Sequence, residues 1–309
     1  MRLDDFDPDI NVGDQRGQGG GGFLGGRGGG GGGGLLLGLL PLIGSRFGCG
    51  GIVLVVIVLA VLGVNPLSLL GGGNGNGGGF APTQRSAPAA HADASRACNL
   101  DASSKAACNA FSSADKTWAA LFAHEGKQFQ APSLQFYSRD GQSGCGAAQA
   151  AMGPFYCPTD DGIYLDTSFF QELQTRFHAG GDFAQDYVIA HEFGHHIQNL
   201  LGISAKVSQA EQSSSATDAN KLSVKLELQA DCYAGVWANA NKDRLDPGDV
   251  QEGLTAAHAI GDDTLQQEAQ GRVVPDSFTH GTSAQREHWL QVGLDSGDPA
   301  RCDTFDGAI

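Results

Sequence analysis

Apolar residues recur at helical spacing in several stretches of this 309-residue chain and alternate in very few. Asp115–Glu125 ("DKTWAALFAHE") carries the helical period. A longer helix is predicted with Asp182 as N-cap, running through "YVIAHEFGHHIQNL" (Tyr187–Leu200) to about Leu201, where Gly202 stops it. "ISAKVSQAEQSSSATDAN" (Ile203–Asn220) is polar and rich in small residues, so it reads as an exposed loop or a frayed helix. A second long helix is predicted from about Lys221 to Asn241. Pro247 and Gly248 open another, containing "VQEGLTAAHAIGDD", and the last covers roughly Thr282–Asp295. "SLQFYS" (Ser133–Ser138) and "GIYLD" (Gly162–Asp166) read as short strands, joined by "GCGAAQAAMGPFYCP" (Gly144–Pro158). No internal repeat is present. The pattern predicts an α+β domain, mainly helical with a small β-sheet.

Glycine changes this picture for the first third of the chain. Many of the 47 glycines lie in two blocks, Gly17–Gly34 and Gly71–Gly79. Such runs bury too little apolar surface to offset their backbone entropy, so both are expected to be disordered or linker segments. Between them, "GIVLVVIVLAVLGV" (Gly51–Val64) lies in a stretch without charge from Arg46 to Arg85. A span of about 20 residues there is long enough to cross a bilayer. A cleaved signal peptide fits less well, because "NPLSLLGGG" supplies no small-residue cleavage site. Arg16, Arg27 and Arg46 precede the span more closely than Arg85 and Arg96 follow it, a bias that places the N-terminus in the cytoplasm. The expected organisation is a disordered, glycine-rich cytoplasmic N-terminus (1–46), a single-pass transmembrane signal anchor (47–70), a flexible linker (71–91) and an extracytoplasmic, periplasmic or extracellular domain (92–309).

The net charge of −15, from 34 acidic and 19 basic residues, disfavours a nucleic-acid partner, since no basic stripe can neutralise phosphates. Of seven cysteines, Cys49 falls at the membrane edge and six fall in the exported part. An even count there implies disulfides. Sequence proximity suggests Cys98–Cys108 and Cys145–Cys157, which leaves Cys232–Cys302 to tie the C-terminal tail to a helix.

The chemistry concentrates in "HEFGHH" (His191–His196). Residues four apart on a helix lie one above the other, so His191 and His195 project together and can share one metal ion. Glu192 stands beside them as a general base; this is the H-E-x-x-H arrangement of a zinc hydrolase. His196 points about 140° away from His191 and is expected on a packing face. A catalytic zinc takes three protein ligands. Gln198 and Leu201 stand where a metzincin has glycine and histidine, and both methionines precede the motif, so that class is excluded. The second long helix offers "LELQAD" (Leu226–Asp231), with Glu227 as third ligand and Asp231 as the carboxylate that orients a ligand histidine. One Zn2+ per chain is expected, although two histidines and a carboxylate also serve non-haem iron.

"HEFGHH", "ELQADCYAGVW", "CGAAQAAMGPFYCP" and "PDSFTHGTSAQREHW" together resemble the membrane-anchored bacterial neutral zinc metallopeptidase family, as does "INVGDQRG" before the glycine run. The resemblance spans nearly the whole chain and implies a zincin-like peptidase acting on a peptide or protein substrate. "FTHGTSAQR" (Phe278–Arg286) is also similar to an element of integral-membrane CAAX-type zinc peptidases that share the E-x-x-A-D arrangement. That likeness implies that His280 stabilises the oxyanion, while Arg286 braces the Asp231 region or contacts substrate. His124, His178, His258 and His288 have no partner spacing and read as surface or packing residues. Substrate is expected to add as a strand along "GIYLD", taken as a sheet edge. Two rival readings stand beside the peptidase: a zinc-stabilised binding or chaperone-like module, and a zinc hydrolase of cell-wall amides.

Overall fold

The structure, a computed structural model, describes residues 1–4, 6–17 and 90–306. Met1–Gly19 and Ala87–Ile309 form one compact unit. Its four-stranded sheet has the order β1-β2-β6-β5, from β1 (Val12–Asp14), β2 (Ser133–Tyr137), β6 (Gly162–Asp166) and β5 (Phe155–Cys157). β1, β2 and β6 run parallel, with Val12 opposite Leu134 and Leu134 opposite Ile163. β5 is antiparallel to β6, pairing Tyr156 with Ile163. A separate hairpin joins β3 (Asp140–Ser143) to β4 (Gly146–Gln149).

All five residues of β6 are buried, as befits a strand covered on both faces. "GIYLD" is therefore a central strand, not the edge expected from the sequence. The edges belong to β1 and β5, and the segment read as a simple connection contains β4 and β5.

The helices are α1 (Ala90–Cys98), α2 (Ala102–His124), α3 (Ser168–Thr175), α4 (Asp182–Leu200), α5 (Ile203–Glu211), α6 (Ala216–Ala240), α7 (Asp249–Ala259), α8 (Asp262–Gln270) and α9 (Ser283–Ser296). α2 is twice as long as the stretch its large apolar residues mark. Asp101 caps it by accepting from Ser104 N at 2.7 Å, and its first half buries small residues, Ala107, Ala110 and Ala114. Gly181 rather than Asp182 occupies the N-cap of α4, and left-handed Gly202 (φ 70°) ends it as expected. α6 starts five residues early because Ser215 caps it. The helix expected after Pro247 breaks at Ile260–Gly261 into α7 and α8. Thr282 and Gln285 form a reciprocal capping box at the start of α9.

α4 packs against α2, α6 and α7, with the Phe111 and Phe193 rings 5.6 Å apart. Two glycines allow the approaches that matter for the site. A Cβ on Gly194 would stand 3.0 Å from the Ala230 carbonyl oxygen, so its absence brings α4 against α6. A Cβ on Gly293 would overlap the Cys232 carbonyl, so α9 likewise lies directly on α6. The disulfides join as expected, two between near neighbours, Cys98–Cys108 and Cys145–Cys157, and the remaining pair, Cys232–Cys302, across 70 residues.

The N-terminal residues depart most from the sequence reading, which assigns 1–46 to a disordered cytoplasmic tail. Residues 1–4 and 6–17 instead line the domain. Beyond the β1 ladder, Arg16 bonds both Asp14 oxygens at 2.8 and 2.9 Å and Ser104 Oγ at 2.6 Å, and it stacks over Phe136. The Met1 amino group meets Asp182 at 2.7 Å and Asp249 at 3.0 Å. β1 and β2 are paired in one sheet, so residues 12–14 share one side of any membrane with residues 133–137. No helix among the described residues is long and apolar enough to cross a membrane. The expected anchor (47–70), Cys49 and nearly all of the linker (71–91) lie outside the described residues.

Candidate functional site

α4 and α6 lie side by side, and the apolar residues around "HEFGHH" and "LELQAD" bury the polar ones between them. His191 Nε2 lies 3.1 Å from Glu227 Oε2, and His195 Nε2 lies 3.5 Å from Glu227 Oε1. Their ligand atoms fall within 4.8 Å of one another, so this trio could hold a metal ion. On a tetrahedron with metal–ligand distances of about 2.0–2.2 Å, neighbouring ligands are about 3.3–3.6 Å apart. The 3.1 and 3.5 Å separations, made to different oxygens of Glu227, lie near that size.

Both imidazoles are oriented from behind. His191 Nδ1 bonds Asp231 Oδ1 at 2.8 Å, and His195 Nδ1 bonds Gln198 Oε1 at 2.9 Å. With each Nδ1–H donated to an oxygen, the Nε2 lone pairs are left for a shared ligand. Gln198 is held in turn, donating to Leu226 O at 2.7 Å. Asp231, fully buried, also accepts from Tyr187 Oη at 2.6 Å and from Arg286 Nε and Nη2, each at 2.9 Å. The guanidinium is buried and committed to Asp231, which favours the bracing role of Arg286 over substrate contact.

These contacts shift the pKa values of the group. Burial pushes the Asp231 carboxyl up, but Arg286 and His191 outweigh it and hold it at about 2. Burial pulls His191 down, yet Asp231 and Glu227 raise it to about 10. Glu227 sits well below the usual carboxylate range, because the two histidines more than offset its burial. Glu192 moves the other way, raised chiefly by burial.

A cleft of about 660 Å³ opens over this group. Phe155, Phe169, Phe177, Val188, Ile260 and Leu265 form its apolar walls; His191, Glu192, His195, Glu227 and His280 supply its polar lining. His280 thus reaches the same cavity as the trio from the loop before α9. His124, His178, His258 and His288 are exposed and stand apart from it.

The family model described as "Putative neutral zinc metallopeptidase" matches residues 1–305. The chain belongs to this family. Among curated relatives of this chain, uncharacterized protein YpfJ of Escherichia coli strain K12 is 46% identical over 266 residues, covering 85% of this chain and 88% of that protein. Uncharacterized protein Rv2575 of Mycobacterium tuberculosis strain H37Rv is 44% identical over 209 residues, covering 63% and 68%. No solved structure matches the chain.

Three residues of this site escape the sequence reading. Tyr187 stands one turn before His191 and Gln198 three residues after His195, so both share the motif's helix face and helical spacing could have found them. Asp262, which grips the His280 turn, carries no such signal.

Proposed function

We propose that this chain is a zinc-dependent peptidase that holds one Zn2+ through His191, His195 and Glu227. The observation that carries the reading is the convergence of two Nε2 atoms and one carboxylate, beside buried Glu192, under an open cleft. Zinc, when bound, supplies a positive charge that polarises the attacking water and the scissile carbonyl. Glu192 takes the water's proton and passes it to the leaving amine; a carboxyl raised by burial suits both transfers. His280 donates to the oxygen that gains charge. Asp231, Tyr187 and Arg286 keep His191 in the required tautomer.

Substrate lies along β5, which has a free edge in the described sheet and whose Phe155 and Tyr156 line the cleft. Apolar walls suit peptide side chains better than glycan. Three disulfides support an oxidising, extracytoplasmic compartment.

The test uses the full chain, with zinc content and cleavage of an unfolded protein measured for the wild type and Glu192→Gln. Both should bind about one zinc, while the variant loses roughly 10²–10⁴-fold in activity. Equal behaviour of the two proteins would overturn the peptidase and favour a zinc-stabilised binding module.

A further inference from the structure

We propose that Asp262 is the positioning residue for His280, fixing both its turn and its ring so that Nε2 is presented to the cleft as an oxyanion donor. The inference rests on the peptidase reading and assigns a role to a residue outside both zinc motifs. Asp262 is the first residue of α8 and is only 8% exposed. Its Oδ2 accepts from three successive backbone N–H groups: Thr279 at 2.7 Å, His280 at 2.6 Å and Gly281 at 3.2 Å. Its own N–H donates to Gly281 O at 2.8 Å, closing the clamp from the other side. Gly281 has φ +92°, a conformation that L side chains rarely adopt, so the turn has a sharply defined shape. Asp263 grips the next residue, accepting from Ser283 N at 2.7 Å and Ser283 Oγ at 2.9 Å. The start of α8 therefore holds the start of α9, and His280 is suspended between them.

The half-exposed ring is tied to the same carboxylate by longer contacts. His280 Nδ1 lies 3.2 Å from Asp262 Oδ1 and 3.1 Å from Thr279 Oγ1, and every recorded hydrogen bond of the imidazole is at this nitrogen. The ring lines the cleft that holds Glu192 and the histidine pair, which leaves Nε2 for a ligand there. With Nδ1–H given to a carboxylate, Nε2 carries a proton only when the ring is an imidazolium. The Asp262 bond raises the His280 pKa against the opposing effect of burial; Glu227 adds to the rise and Arg286 opposes it. His191, His195 and Glu192 also border the cavity and contribute to its field. Asp262 thus stabilises the one protonation state in which Nε2 can donate.

The sign follows from that state. Donation is complete below the pKa of His280 and is lost as pH rises through it. Asp262→Asn should lower that pKa and move the alkaline limb of kcat down by about one unit. At pH 8 its kcat should fall by up to about 10-fold with KM little changed, and the deficit should shrink toward pH 6. His280→Gln keeps a neutral donor at every pH, so this limb should vanish, and Asp262→Asn should add little on that background.

The experiment pairs pH–rate profiles of the zinc-loaded full chain with an NMR titration of the His280 ring in the metal-free chain, assigned by its absence in His280→Gln. The expected result is a His280 pKa above 6.5 in the wild type and a lower one in Asp262→Asn, with the alkaline limb moving in step. An unchanged titration, or a loss of kcat equal at all pH values, would overturn the proposal and leave Asp262 a loop anchor. If Asp262→Asn does not fold, persistence of the limb in His280→Gln would overturn it instead. Failure of the wild type to cleave anything would remove the peptidase reading, while the titration would still decide whether Asp262 controls the ring.

Discussion

On one face of α4, His191 and His195 meet carboxylates; on another, His196 meets a backbone carbonyl, a phenol and three aromatic rings. His196 Nε2 bonds Gln130 O at 2.7 Å and its Nδ1 lies 3.1 Å from Tyr156 Oη, among Phe129, Phe193 and Tyr156. Burial lowers the pKa of His196, whereas burial is outweighed by Asp231 and Glu227 at His191 and by Glu227 at His195, and both are raised. Three histidines within six residues thus have their pKa values moved in opposite directions, and what decides between them is the element packed opposite. α6 brings Glu227 and Asp231 to one face, while the Gln130 loop and β5 bring a carbonyl and a phenol to the other. One face is built to hold a cation and the other to hold the fold.

The comparison breaks most severely if the carboxylate side loses its counter-charge. Arg286→Met leaves Asp231 buried with its strongest partner gone, and it should cost about 3–5 kcal/mol in denaturant unfolding of the metal-free protein. Adding Asp231→Leu should recover much of that loss, because the uncompensated buried charge then disappears. Next in size, Gln198→Leu frees the His195 ring and should weaken zinc roughly 10–100-fold in a competition titration.

A smaller effect sharpens the other face. His196→Leu deletes the bond to Gln130 O and should cost about 1–2 kcal/mol of stability while zinc affinity stays unchanged. The same variant tests the pH dependence. A histidine with a depressed folded pKa contributes nothing unfavourable above its unfolded value near 6.5. Below that value the unfolded chain takes up a proton that the folded chain refuses, so stability falls with falling pH until the folded pKa is reached. His196→Leu should flatten this acid decline in chemical denaturation curves measured from pH 7 downward. An unflattened curve would show that His196 is not the group responsible.

The metal face was legible because local spacing carries it. His191 and His195 lie four apart, as do Glu227 and Asp231, and a helix turns each spacing into a shared direction. Disulfide partners followed from proximity and from an even count. What escaped depends on contacts between distant segments. β1 and β5 have three residues each, too few for a periodicity, and β1 pairs with a strand more than a hundred residues away. The early half of α2 hid behind small residues that pack closely without looking apolar. "GIYLD" held a usable signal that the edge assignment passed over: a run with so few polar positions is suited to burial on both faces. Asp262 had no signal at all, because its partners are backbone amides whose position only the folded loop defines.

The most direct measurement of the two-face account is zinc per chain, by elemental analysis of the purified full-length wild type, His195→Ala and His196→Leu. The account predicts about one zinc in the wild type and in His196→Leu, and little or none in His195→Ala. Zinc retained by His195→Ala, or lost from a folded His196→Leu, would contradict it.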